Sequence, residues 1–191
     1  MDNFSAEDFA KFPICVDLDG TLWAGDCLWL CLLEFLKQHP LRFLQPLFWW
    51  HKDRTYLKYN LAKAVFFNPK KLSFFPEILE YLLDLKSRGA KLYLVTGSDQ
   101  TIADAIAKHL NIFEKAFGST VGNNLVGMNK AKLLNILFGE KKYIYFGNEW
   151  KDRFVWEYCI AAVAVNIDQK TSAWLDAQPI YTRRFICKSY I

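Results

Sequence analysis

ICVDLDGTLW, the stretch from Ile14 to Trp23, sets two carboxylates, Asp17 and Asp19, at the end of an apolar run with Gly20 directly behind them. An apolar run of this length, closed by a glycine turn, reads as a central strand buried on both faces. Two acidic side chains at the mouth of such a strand repel one another and lose hydration. Something elsewhere in the chain has to offset that cost, and it must be cationic.

The pattern downstream of this strand is mostly helical and then alternates. DCLWLCLLEFLKQ carries Asp26 as N-cap and ends just before Pro40, while LRFLQPLFWWHK is shorter and interrupted by Pro46. RTYLKYNLAKAVFF spaces Leu57, Leu61, Ala64 and Val65 for one helical face and closes at Asn68-Pro69. PEILEYLLDLKSRG has Pro76 in its first turn, Lys86 and Arg88 in its last, and Gly89 to stop it. KLYLVTGS is a strand, SDQTIADAIAKHL a helix capped by Ser98, and KAFGSTVGNNLVGMNK a short strand followed by a Gly/Asn-rich hairpin. KAKLLNILFG, YIYFGN, KDRFVWEYC and AAVAVNI then alternate helix and strand, and TSAWLDAQPIYTRRFICKSYI reads as a final helix and an edge segment. Strands alternating with helices specify an α/β fold, a doubly wound parallel sheet. Chemistry in such sheets gathers at the carboxyl ends of the strands. Four polar clusters fall there: Asp17 with Asp19, Thr96 with Ser98, Lys130, and Asn148 with Asp152.

D-x-D alone is weak, but D-x-D-G-T closing an apolar strand is specific. With LYLVTG ending at Thr96–Gly97, Lys130 opening a helix in NKAKLL, and YIYFGNEWKD, the chain resembles the haloacid dehalogenase superfamily over residues 12–167, its four motifs in order. Among its subgroups it is similar to the phosphatase-like domain that precedes a UbiA-type prenyltransferase in some bacterial proteins, which also carries Gly-Asn in the fourth motif. The resemblance implies Asp17 as nucleophile and Asp19 as the acid and base of a phosphomonoester hydrolysis through an aspartyl-phosphate. It implies Lys130 and the Thr96 hydroxyl, with the N–H groups of Leu18 and Gly97, as the phosphate cradle. Mg²⁺ is implied as cofactor, held by Asp17, the Asp19 carbonyl, Asn148 and Asp152. Asn148 departs from the family's acidic pair, which implies weaker metal affinity.

The superfamily inserts a cap between motifs, and here the long first gap places it at residues 26–75, with 1–25 and 76–191 forming the core. Composition marks the same segment independently. Between Pro40 and Phe75 stand Arg42, Lys52, Arg54, Lys58, Lys63, Lys70 and Lys71 against the acid Asp53, interleaved with ten aromatic residues. These aromatics read chiefly as the core of a helical subdomain. The basic, aromatic composition also suits an anionic substrate with an aromatic or apolar body, from phosphotyrosine-type esters to isoprenoid phosphates, or peripheral contact with an anionic membrane. No nucleic-acid partner is expected from a formal net charge of only +4.

The N-terminal stretch is acidic and has no basic-then-apolar leader pattern, and no run is long and apolar enough to span a membrane. Five cysteines without framework spacing fit a reducing, cytoplasmic setting, and none is followed by the loop and Arg of a cysteine-dependent phosphatase. His39, His51 and His109 show no triad or metal spacing and read as surface or half-buried. The prenyltransferase of the similar fusion proteins does not follow, so the chain reads as a standalone protein or a truncated domain. Phosphoryl transfer to another acceptor, and a weakly active phospho-ligand or membrane-binding module, stand as rival readings.

Overall fold

The computed structural model describes residues 4–188; the first three residues of the acidic N-terminal stretch and the last three of the basic C-terminal one lie outside it. Six strands form one sheet, β1 (Ile14–Val16), β2 (Leu92–Asp99), β3 (Lys115–Ser119), β4 (Ile144–Gly147), β5 (Ala161–Val165) and β6 (Tyr181–Phe185). Their order is β3-β2-β1-β4-β5-β6, every pairing parallel. The order reverses at β1: the chain winds outward through β2 and β3, then crosses back to β4. This is the switch point at which doubly wound sheets bind ligands. In register, Ile14 lies opposite both Leu92 and Ile144, and Val16 opposite Leu94 and Phe146.

The continuous apolar strands still divide their side chains by alternation. Ile14, Val16, Leu92, Leu94, Ile144, Phe146 and Val163 face one layer, packed by α1 (Ala6–Ala10), α5 (Pro76–Ser87) and α6 (Gln100–Leu110). Cys15, Tyr145, Ala162 and Ala164 face the other, covered by α7 (Met128–Phe138), α8 (Arg153–Trp156) and α9 (Gln169–Asp176). Burying each large aliphatic side chain here stabilises the fold by about 1.5–3 kcal/mol.

Between β1 and β2 lie α2 (Cys27–Gln38), α3 (Gln45–Lys52) and α4 (Arg54–Ala64). Asp26 caps α2 through the N–H groups of Leu28 and Trp29, as its position in the sequence suggests. Where this segment leaves and rejoins the rest, Trp23 pairs with Phe74 antiparallel, with Phe75 N–H donating to the Leu22 carbonyl at 3.0 Å. Cys27, Cys31, Phe35, Leu57 and Leu61 join the same core as β1.

Several sequence expectations need correction. Pro46 does not interrupt a helix but opens α3, where its missing N–H costs nothing. Ser98 does not cap α6: the cap is Asp99, which accepts from the Thr101 N–H, and β2 runs through Ser98 to Asp99. The helix expected over KDRFVWEYC shrinks to one 3₁₀ turn and the single turn of α8. The short α1 was not anticipated, although Ser5 and Asp8 form a capping box that marks it. Most notably, the aromatics of the inserted segment are not chiefly core. Phe43, Phe48, Trp50 and Phe66 are exposed, and of the ten only Phe75 is buried. Among the described residues no helix is long and apolar enough to cross a membrane, and all five cysteines are buried free thiols.

Candidate active site

β1 ends at Val16, so Asp17 is the first residue to leave the sheet, still tied to it by its N–H bond to the Phe146 carbonyl at 3.0 Å. Gly20 then turns the chain at φ +73°, a conformation that strains any residue with a Cβ. A Cβ there would also collide with the Asn148 carboxamide, so the turn after β1 and the loop after β4 are in direct contact.

The cation demanded by the two carboxylates is Lys130, in the first turn of α7. Its Nζ lies 2.9 Å from Asp17 Oδ1, 2.7 Å from the Tyr145 hydroxyl and 3.9 Å from Asp152 Oδ1. All four groups are buried. The Tyr145 hydroxyl donates in turn to Asp152 Oδ1 at 2.8 Å, and Asp152 Oδ2 accepts the N–H groups of Asn148 and Glu149 at 2.9 and 3.0 Å. Asp152 therefore has both oxygens committed, and it fixes Lys130, Tyr145 and the β4 loop together. Burial raises the Asp17 pKa, with Lys130 the main opposing influence and Asp152 adding to the rise. Burial alone would pull the Lys130 ammonium down, but Asp17 and Asp152 hold it above its ordinary value. Tyr145 escaped the sequence reading because it occupies an ordinary core position in YIYFGN. A phenol in a central strand nevertheless needs a polar partner, which is the signal that would have found it.

Asp19 is satisfied separately. Its Oδ1 accepts from Trp23 Nε1 at 3.0 Å and from the Cys27 N–H at 2.9 Å, and its Oδ2 from Ser98 Oγ at 2.8 Å. The Cys27 N–H belongs to the first turn of α2, whose dipole favours a carboxylate there. The two aspartates thus tolerate each other through different partners: a buried ammonium for Asp17, three neutral donors for Asp19.

Around Asp17 several polar atoms are left open. Asp17 Oδ2, the N–H groups of Leu18 and Asp19 and the Asp19 carbonyl have no hydrogen-bond partner among the described residues. Thr96 is fully buried one strand away, and its Oγ1 accepts the Ser98 N–H at 3.0 Å. The Asn148 carboxamide turns toward Thr21, whose hydroxyl donates to it at 3.2 Å, whereas its neighbour Glu149 lines the cleft. Among the described residues no three His, Cys, Asp or Glu side chains are grouped to hold a metal ion.

A cleft of about 290 Å³ is bounded by Asp17, Asp19, Gly97, Lys130, Glu149 and Asp152, with Arg54 and Lys58 on the side of the inserted helices. Lys58 is buried, and its Nζ donates to the Gly97 carbonyl at 2.6 Å and to Asn124 Oδ1 at 2.8 Å. Burial, reinforced by Arg54, pushes its pKa down to about 8. The sequence offered Lys58 only as one of seven basic residues in its segment. Its placement between Leu57 and Leu61 on a helix that packs inward was the available clue.

A six-stranded parallel sheet with paired aspartates after its central strand and a buried lysine facing them defines the class of haloacid dehalogenase-like α/β hydrolase folds. The family model of the haloacid dehalogenase-like hydrolases matches residues 50–143, which include Thr96 and Lys130 but neither Asp17 nor Asp152. The protein y4nM of Sinorhizobium fredii is 37% identical over 155 residues, covering 81% of this chain and 30% of that protein, so the chain spans about a third of that relative's length. Among solved structures, the hydrolase t0658 of Salmonella enterica serovar Typhi superposes with a TM-score of 0.61 at 15% identity, over 91% of this chain and 68% of that one. A substrate-bound phosphoserine phosphatase superposes equally well, TM-score 0.61 at 15% identity, over 90% and 92% of the two chains. At such identities these two structures establish the fold. The fold is the haloacid dehalogenase-like α/β fold, and residues 50–143 are similar to the hydrolase family of that name.

Proposed function

We propose that the chain is a Mg²⁺-dependent phosphomonoester phosphatase that works through an aspartyl-phosphate on Asp17. One observation carries this reading: at the cleft that Asp17 and Asp19 line, Asp17 is pinned through Oδ1 by Lys130 while its Oδ2 and the two N–H groups that follow it have no hydrogen-bond partner. An unpaired carboxylate oxygen beside unpaired backbone donors suits a nucleophile facing an anion. Asp17 Oδ2 attacks phosphorus, the P–O bond to the leaving alcohol breaks, and Asp19 supplies the proton that the departing oxygen needs. The Ser98 hydroxyl, which donates to the ionised Asp19, can rotate to accept when Asp19 carries that proton. Asp19 then takes a proton from the water that attacks the phosphorus of the aspartyl-phosphate, releasing phosphate and restoring Asp17. Lys130 holds Asp17 in line and meets the phosphoryl charge, and the Leu18 and Gly97 N–H groups with Thr96 complete the cradle.

The donor set would hold a hard cation through the Asp19 carbonyl and the Asp17 carboxylate oxygen that does not attack, with Glu149 and Asn148 alongside. When bound, Mg²⁺ supplies Lewis acidity to the phosphoryl oxygens. Because Asp152 has both oxygens engaged by Lys130, Tyr145 and two backbone N–H groups, we assign it to positioning rather than ligation. In this reading residues 26–75 are the cap over the cleft, the substrate is an anionic ester with an aromatic or apolar body, and the kinship with UbiA-linked domains suits a relative much longer than this chain.

A phospho-ligand-binding module with little turnover is the second reading, favoured by Asn148 standing where the family has a carboxylate. One assay decides between them. Hydrolysis of an aryl phosphate, with and without Mg²⁺, should exceed that of Asp17→Asn by orders of magnitude; equal rates in the two proteins would leave only the binding module.

A further inference from the structure

The inserted helices carry a second concavity that hydrolysis of a small phosphate ester does not require. It is a groove of about 380 Å³ between α2, α3 and α4, larger than the cleft itself. Trp29, Leu32, Leu47, Trp50, Leu57 and Leu61 line it, and the polar residues bordering it are Asp26 and Arg54 at one end. Those two residues and Leu28 also line the cleft, so groove and cleft share a boundary. Helix α4 serves both sides: Leu57 and Leu61 line the groove, while Lys58, beside Leu57, sends its ammonium to the cleft at Gly97. Much of the groove wall stands in water, with Trp29 63%, Leu47 62% and Trp50 67% exposed. Such a cluster of exposed apolar side chains marks a binding surface.

We propose that this groove receives the hydrocarbon chain of a single-chain lipid monophosphate whose phosphate lies in the cleft. The inference rests on the phosphatase reading for the role of the cleft and deepens it by naming the substrate class. The argument is continuity and charge. A ligand that crosses the shared boundary meets Arg54 and Lys58 at its anionic end, passes Asp26 at the boundary, and beyond it meets only apolar side chains. A groove of about 380 Å³ is more than a single ring would fill, which suits a chain rather than an aromatic body. A membrane surface or a second copy of the chain would use the same exposed residues but would not need the groove to border the cleft.

Binding of butylphosphonate and decylphosphonate, neither of which can be hydrolysed, separates these cases by calorimetry below the micellar concentration. A fully buried methylene strengthens binding about fourfold, so even partial burial of six more should make the decyl compound bind at least about tenfold tighter. Leu47→Glu and Trp50→Glu, both at exposed positions and checked for folding by circular dichroism, should each erase most of that ratio. A ratio near one in the wild-type protein overturns the inference. So does a dimer in sedimentation that Leu47→Glu dissociates, or binding to phosphatidylcholine vesicles lost in Trp50→Glu while the ratio stays near one. A tenfold ratio without turnover of any phosphate ester would retain the groove's ligand and sink the phosphatase reading instead.

Discussion

Replacing Lys130 by Met tests whether one ammonium holds the site together. Its Nζ lies 2.9 Å from Asp17 and 3.9 Å from Asp152. At those distances, with an effective dielectric of about 20, the two attractions come to about 6 and about 4 kcal/mol before desolvation is subtracted. Most of that sum is offset by the cost of burying the ammonium, and removing one partner of a buried pair costs a net 3–5 kcal/mol or so. The residual cost comes from two carboxylates left facing each other without a cation. Asp17 already has a raised pKa, and losing Lys130 removes its main opposing influence. A carboxyl whose folded pKa lies above its unfolded value takes up a proton on folding. The stability it contributes is present below the unfolded pKa and is lost as pH rises toward the folded one. The destabilisation of Lys130→Met should therefore be about 3–5 kcal/mol at pH 8 and clearly smaller at pH 5. Adding Asp17→Asn should recover a large part of it. Urea unfolding followed by circular dichroism in EDTA measures all three proteins. A loss below about 1 kcal/mol at pH 8, or one that does not shrink at pH 5, would refute the electrostatic account.

Three further outcomes are expected. Lys58 has a pKa pushed down to about 8, so kcat/KM for a phosphate monoester should fall as pH rises past that value. Lys58→Arg, permanently charged, should carry the alkaline limb upward by about one pH unit or more, and an unmoved limb would take Lys58 out of phosphate binding. Gly20→Ala should destabilise by about 2–3 kcal/mol, from left-handed backbone strain and displacement of the Asn148 side chain from Thr21. Asn148→Ala in the same chain should return part of this in thermal denaturation, which a purely backbone effect would not allow. Glu149→Gln should raise the Mg²⁺ concentration for half-maximal turnover at least about threefold, and Asn148→Asp should lower it; titrations that leave both values unchanged would move the metal away from this loop.

What the sequence disclosed was the chemistry anchored to strand ends. Asp17, Asp19, Thr96 and Lys130 announce themselves because a carboxylate pair, a hydroxyl and a lysine are improbable company for buried apolar strands. The supports of those groups were not legible. Trp23, Cys27 and Ser98 serve Asp19 from a tryptophan, a backbone amide and the strand next door, and each has an ordinary structural reading by itself. Ser98 looked like a helix cap because Asp99, the cap, has equal capping propensity one position later. The inserted helices were found by composition, but composition does not say which way a ring points. Phe43, Leu44, Leu47, Phe48 and Trp50, in and just before α3, follow one another too closely for periodicity to choose a buried face, and all five face solvent.

Strand β1 has only three residues, and both its neighbours come from distant parts of the chain, Ile14 pairing with Leu92 on one side and Ile144 on the other. It has no hairpin partner to form with early, so two large loops must close before it gains its hydrogen bonds. Asp17 inherits that timetable. A nascent chain that has not yet emitted β4 has neither the Phe146 carbonyl that holds Asp17 nor the Tyr145 hydroxyl that holds Lys130. Asp17 precedes every group that holds it, and its setting is complete only once β4 has been made.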